Sequence, residues 1–315
     1  MAAGSRDRRQ SGDNRRDGNS RKGRGKIPAL SGRMQMLADL VTAGSRVADV
    51  GCDHGFLPIY LVRTGKSPKC LAMDVRKGPL SGAEEHIAAC GLGEYIETRL
   101  SDGLAAYHIG EAETLVCAGM GGRLMERILT EGGEKSRSFA ELILQPQSEI
   151  PEFRKFLRNA GYRVTGEDAV YEEGKFYFAM KAVYGGQELS VSQDQPVDYS
   201  EPLSGRDGSL PGQEGLQSGR DGSLPGHDGL LPGRDGVLPG YDGQLPGLYD
   251  LYGEHLLRGR HPVLRQYLQR QLCAVEGLIG QLRQKASARS DARQRELFLE
   301  KEQLESALEI YEKGR

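Results

Sequence analysis

Apolar positions along the chain change their period several times, and each change marks a boundary. Leu30, Met34, Leu37, Ala38 and Val41 fall at spacings of three and four, which predicts a leading helix with one apolar face. Short β-rich runs then alternate with helical ones. Strands are expected over Arg46–Val50, Lys69–Met73, Tyr95–Arg99, Thr114–Ala118 and Leu142–Gln145. Helices are expected over Phe56–Arg63, Gly78–Ala89, Gly121–Thr130 and Ile150–Asn159. Such alternation places helices on both faces of a mostly parallel sheet, a Rossmann-like α/β fold. The rhythm breaks at Tyr162–Tyr171 and Lys175–Tyr184, two β-rich runs separated by Glu-Glu-Gly, which read as a hairpin adding an antiparallel pair at the sheet's end.

Outside residues 27–185 the pattern is different. Residues 1–26 are Arg, Lys, Gly, Ser, Asn and Asp with almost nothing to bury, so a disordered basic tail is expected. Over residues 186–247 the unit SGRDGSLPG recurs, followed by HDGLLPG, RDGVLPG and YDGQLPG. One Leu per turn-forming unit is too little apolar surface to offset the entropy of ordering it, so a disordered spacer is expected there. After it, Leu264, Leu268, Leu272, Val275, Ile279 and Leu282 follow heptad-like steps, and Leu297, Leu304, Leu308 and Tyr311 continue them. Residues 248–315 therefore read as a C-terminal antiparallel coiled-coil hairpin. Its first helix carries Arg258, Arg260, Arg265, Arg270, Arg283 and Lys285, a basic face suited to a polyanion, although a solvated charged face is the plainer explanation.

Composition narrows the function classes. The net charge of −2 conceals this segregation, and 44 Gly with 37% hydrophobic residues over 315 positions leave material for one core of ordinary size plus linkers. No run is long and apolar enough to span a membrane, and the basic start lacks the apolar stretch of a secretory signal, so a cytoplasmic protein is expected. Five scattered Cys with no paired Cys/His spacing argue against structural disulfides and a metal centre.

The chemistry-bearing residues gather at strand ends. The first strand runs into Asp49, Val50, Gly51, Cys52, Asp53, His54 and Gly55. Gly51 lets the backbone approach a ligand, and the helix opened by Gly55 offers amide donors. A dinucleotide loop would need Gly where Asp53 stands, and a carboxylate there repels a pyrophosphate. A sulfonium with an amino-acid tail suits it, which points to S-adenosyl-L-methionine. Asp74 closes the second strand, placed to accept ribose hydroxyls or to cap the next helix. Asp102 and Gly103 follow the third strand, where an acid could take an adenine amino group. Ala118, Gly119, Met120, Gly121 and Gly122 end the fourth, as ligand contacts or a tight turn. Gln145 and Pro146 close the fifth strand, where Gln145 could meet a target base.

Together the segments ALSGRMQMLADLV, VADVGCDHGFLPIYL, LAMDVRKGPL, SDGL, CAGMGG and LILQPQ, with YGEHLLRGRHPVLRQYL opening the helical hairpin, resemble the bacterial tRNA (adenine-N1) methyltransferase family known as TrmK. The resemblance covers roughly residues 29–184 and 249–313. It implies a class I methyltransferase domain that uses S-adenosyl-L-methionine to methylate N1 of adenine 22 in tRNA. Ring N1 carries an in-plane lone pair and needs no deprotonation, so catalysis can be largely alignment. A carboxylate accepting from the N6 amino group would stabilise the charge that arrives on the purine, and Asp53 is the expected residue, which the resemblance also favours. Fixing the loop is its alternative role. Arg33 and His54 are expected near the substrate, and Phe56, Tyr60 and Met120 as a shelf for a base drawn out of its pair. Expected partners are tRNA, with no metal and no membrane, and the protein is expected to be a monomer. A small-molecule methyltransferase and a non-catalytic RNA-binding protein are the rival readings.

Overall fold

The computed structural model describes residues 30–185, 245–283 and 288–312; the basic tail over 1–26, the repeats over 186–244 and residues 284–287 lie outside the described residues. The leading helix α1 (Gly32–Leu40) starts at Ser31, whose Oγ accepts the Met34 amide at 3.3 Å. There follow β1 (Val47–Val50), α2 (Phe56–Arg63), β2 (Cys70–Asp74), α3 (Lys77–Ala89), β3 (Ile96–Leu100) and β4 (Thr114–Met120). Next come α4 (Gly122–Gly132), the short α5 (Glu134–Arg137), β5 (Glu141–Pro146), α6 (Ile150–Asn159), β6 (Tyr162–Glu172) and β7 (Lys175–Tyr184). One seven-stranded sheet has the order β3-β2-β1-β4-β5-β7-β6. The first five strands are parallel, and β7 runs antiparallel to both β5 and β6. Every expected strand is present, with ends shifted by up to two residues.

Strand alternation sorts the core. Ala48, Val50, Leu71, Met73, Leu115 and Cys117 face one layer with Met125 and Phe153 of α4 and α6. Val47, Cys70, Ala72 and Val116 face the other, with Leu37 of α1, Leu57 of α2 and Ile87 of α3. Asp49 shares the strand face of Val47, so the same period that builds the core drives a carboxylate beneath α1 and α2. Strand order reverses direction between β1 and β4, and a crevice opens outside their carboxyl ends, where open α/β sheets bind ligands.

The C-terminal part comprises α7 (Leu245–Tyr252), α8 (Glu254–Arg258), α9 (Pro262–Arg283) and α10 (Ala288–Glu312). The long helices α9 and α10 run antiparallel: Tyr311 donates to the His261 carbonyl at 3.1 Å at one end, and Lys301 meets Glu276 at 2.7 Å nearer the other. Leu264, Leu268, Val275 and Ile279 of α9 share a buried cluster with Leu297, Leu304, Ala307 and Ile310 of α10. Two short helices precede this hairpin where periodicity gave none, and α7 begins at Leu245, inside the stretch expected to be spacer. They dock on the sheet domain through buried charge. Arg154 of α6 pairs with Glu167 of β6 at 2.9 Å and donates to the Asp250 and Leu251 carbonyls at 3.2 and 3.1 Å. Glu167 also accepts the His255 amide at 3.1 Å, Arg158 pairs with Asp250 at 2.6 Å, and His261 meets Asp168 at 3.0 Å. Gly253 adopts φ 92° where a side chain would collide with the Glu167 carboxylate, so glycine is required there.

The expected basic face is partly engaged within the molecule. Arg270 lies 4.3 Å from the Tyr171 ring centroid, Arg283 5.7 Å from that of Phe298, and Arg260 donates to the Ile310 carbonyl at 3.1 Å. Those guanidinium groups cover aromatic rings and a helix end, which their charge pattern alone does not reveal.

Candidate active site

A cavity of about 610 Å³ occupies the crevice, lined by the loops that follow β1, β2, β3 and β4. The β1 loop is drawn toward β2, because the Gly51 and Cys52 amides donate to the Met73 carbonyl at 2.8 and 3.0 Å. Gly51 turns at φ 80°, and the Met120 methyl occupies the space that a side chain at Gly51 would take. Only glycine permits both the turn and that approach. Asp53 follows at φ 49°, a left-handed conformation that Asp tolerates better than most residues, with its side chain exposed. Such local strain is concentrated at functional sites.

Two acids form the floor. Asp49 is buried, and its carboxylate accepts no hydrogen bond from any described residue. Burial, reinforced by the charge of Asp74, pushes its carboxyl up to about 7. Asp74 is also buried, accepts the Arg76 amide at 2.8 Å and lines the same cavity. At the far end Ser101 braces its loop by donating to the Gly103 carbonyl at 2.8 Å, and Asp102 pairs with Arg127 of α4 at 3.0 Å. Arg33 of α1 lies 5.3 Å from the Tyr177 ring centroid and extends over Gly119. Glu172 of β6 holds that helix in place, accepting the Gly32 amide at 2.6 Å and the Arg33 amide at 3.2 Å.

Asp49, Gly51, Asp53, Asp74, Asp102, Gly103, Ala118, Gly119 and Met120 all line this one cavity, as do Arg33, His54 and Phe56. His54 stands among Phe56 and His86, at ring separations of 5.8 and 5.7 Å. Other expected site residues lie elsewhere. Gln145 is fully buried, its Nε2 donating to the Pro146 carbonyl at 3.3 Å, and Pro146 is buried too. The reason is that β5 continues through Pro146, so the loop reaching the cavity starts at Gln147. Gly121 and Gly122 do not line the cavity and pack against Ser148 and Glu149, where their lack of side chains admits that loop. Tyr60 is half-buried, packs against the core and does not line the cavity. Leu124, Arg127 and Gln147 also line the cavity and were not anticipated; Arg127 and Gln147 are polar side chains in a helix and a loop, with no local signal to mark them.

The arrangement excludes some chemistry. Burial, and then the charges of Asp49 and Asp74, push the Cys52 thiol above its ordinary range, and burial pushes Cys117 up to about 12, so neither is a thiolate nucleophile at neutral pH. Among the described residues no group of three or more His, Cys, Asp or Glu is placed to hold a metal ion. What remains is an open crevice with an acidic floor, suited to a cationic ligand.

Known proteins resemble the chain in the same region. The Methyltransferase domain family matches residues 30–180. The tRNA (adenine(22)-N(1))-methyltransferase of Bacillus subtilis (strain 168) is 35% identical over 161 residues, covering 51% of this chain and 68% of the relative. The solved B. subtilis m1A22 tRNA methyltransferase TrmK is 25% identical, with a TM-score of 0.63 over 89% of this chain and 99% of that one. A Streptococcus pneumoniae protein solved in complex with S-adenosyl-L-methionine is 25% identical, with a TM-score of 0.63 over 89% of this chain and 100% of that one.

Proposed function

We infer the chemistry of the crevice from the family to which this chain belongs, the tRNA (adenine(22)-N(1))-methyltransferases. The protein transfers a methyl group from S-adenosyl-L-methionine to N1 of adenine 22 in tRNA. When bound, the cofactor supplies an electrophilic methyl on a sulfonium centre. The residues suit that ligand: a buried carboxylate without a partner, Asp49, leaves an anionic position that a cationic group would satisfy, and that observation carries the reading. In this proposal Asp49 and Gly51 hold the amino-acid end, Asp74 accepts the ribose hydroxyls, and Asp102, Gly103 and Ser101 border the adenine. Ala118, Gly119 and Met120 close the wall next to the reacting centre.

Asp53 stands at the open side of the β1 loop, exposed and acceptor-only when ionised. A target adenine is drawn out of its pair so that its Watson–Crick edge becomes accessible. Asp53 accepts a hydrogen bond from N6, which raises the electron density at N1 and stabilises the positive charge arriving on the ring. No base is required, since N1 loses no proton before attack; His54 therefore serves the loop or the RNA rather than proton transfer. Arg33 and Gln147, at the mouth, are the polar groups that meet RNA there. The reading places the protein in the cytoplasm, where tRNA is modified, and has it act as a monomer.

The test is methyl transfer from labelled S-adenosyl-L-methionine to an unmodified tRNA transcript, beside the same transcript with adenine 22 replaced by guanine. Label in 1-methyladenosine from the first and none from the second is the expected outcome. Label in another nucleoside, or equal labelling of both transcripts, would overturn the assignment.

A further inference from the structure

A second cavity, of about 270 Å³, lies beside the first and shares Gln147 with it. The sheet domain supplies one wall, with Gln147, Ser148 and Phe178, and the C-terminal helices supply the other, with Tyr252 and Tyr267. Tyr252 is 9% exposed, yet neither its hydroxyl nor that of Tyr267 has a hydrogen-bond partner among the described residues. Burial raises both phenols above their ordinary range, so both remain neutral donors and acceptors. Tyr267 is itself braced edge-on against Phe176 and Phe178, each 5.3 Å away. The backbone leading into Tyr252 is fixed by Arg154, which binds the Asp250 and Leu251 carbonyls and also lines the cavity. Aromatic walls with free hydroxyls, held rigidly by a buried ion pair, form a preorganised pocket for a flat, polar-edged ring.

We propose that this cavity is a second base subsite, which receives the nucleobase adjacent to the target adenine when the target enters the methyl-transfer crevice. The proposal rests on the tRNA reading above. It follows from continuity: the β5–α6 loop at Gln147 borders both cavities, so an RNA strand that delivers one base to the crevice passes its neighbour across the second opening. It also gives the docked helices a role beyond a charged arm, since without α7 and α9 the subsite has no second wall.

The experiment uses the full-length protein with S-adenosyl-L-methionine and three transcripts: intact tRNA, and tRNA lacking the base on the 5′ or on the 3′ side of adenine 22. Base–aromatic stacking implies a loss of roughly tenfold in kcat/KM on one of the two abasic transcripts. Tyr252→Leu should lose a similar factor on intact tRNA and nothing further on that abasic transcript, with cofactor affinity unchanged. Losses that multiply, or abasic transcripts as good as intact tRNA, would overturn the subsite while leaving the methyltransferase assignment in place. No methylation of intact tRNA by the unaltered protein would overturn both. Photo-crosslinking of the unaltered protein to transcripts carrying 5-iodouridine at each flanking position avoids any folding defect in the variant. A crosslink at Tyr252 or Tyr267 is expected; adducts only at other residues would contradict the proposal.

Discussion

The carboxyl edge of the parallel strands and the seam between the sheet domain and the C-terminal helices both bury acids, but they treat them in opposite ways. At the seam, Glu167 has Arg154 and the His255 amide. At the start of β5, Glu141 is enclosed by the Thr42 amide and hydroxyl, the Thr114 hydroxyl and Lys181. Burial alone would push the Glu141 carboxyl up, but its bonds to Lys181 and Thr42 outweigh burial and hold it below the ordinary range. Asp49 is as deeply placed and has no such donor, and its carboxyl rises to about 7. A satisfied buried acid is structure; an unsatisfied one costs stability unless a ligand completes it.

The largest effect is expected at the seam. Arg154→Met leaves the Glu167 charge buried without its cation, which should cost about 3–5 kcal/mol of stability, read as a lowered denaturation midpoint. A loss below 1 kcal/mol would mean the seam is not held by that pair. At the open edge the effect should fall on chemistry instead. Asp53→Ala should lower single-turnover methyl transfer by roughly 10²–10³-fold at saturating cofactor, with the melting temperature and cofactor affinity little changed. A variant that loses only cofactor binding would reduce Asp53 to a loop-fixing role. The smallest effect is expected at Asp102, half exposed and paired with Arg127. Asp102→Ala should weaken S-adenosyl-L-methionine binding by roughly tenfold, as for a lost hydrogen bond to a charged group, and leave thermal stability nearly unaltered, because exposed ion pairs contribute little. Calorimetric titration and a melting curve on the same preparation separate the two.

Much of this contrast is legible in the sequence. Alternation gives the strands, and the order of strand ends gives the acidic crevice, because Asp49, Asp53, Asp74 and Asp102 each follow or close a strand. What the sequence conceals depends on pairing between distant positions. Strand β5 extends to Pro146 because Pro146 lies beside Met120 of β4, and that extra register step buries Gln145 and hands the loop to Gln147. Helix α7 begins with Leu-Pro-Gly, the same letters as the preceding repeats, so its helical character comes from docking rather than from composition. The clamp of Arg154, Glu167 and Asp250 joins residues up to 96 positions apart, and nothing local marks Arg154 as buried.

The most direct measurement compares Asp49→Asn with Glu141→Gln and the unaltered protein, by thermal melting without ligand and by cofactor titration between pH 5.5 and 8. A carboxyl raised from its unfolded value to about 7 binds its proton more tightly in the folded state, so its cost grows as pH rises from about 4 to 7 and is full above 7. At pH 8 Asp49→Asn should therefore raise the melting temperature of the ligand-free protein by several degrees, whereas Glu141→Gln should lower it. Cofactor affinity of the unaltered protein should fall by about tenfold per pH unit below pH 7, as the proton competes with the cation, and the Asn variant should bind weakly with no such slope. A destabilised Asn variant that binds cofactor as well as the unaltered protein at every pH would contradict the claim that Asp49 is left unsatisfied for the ligand.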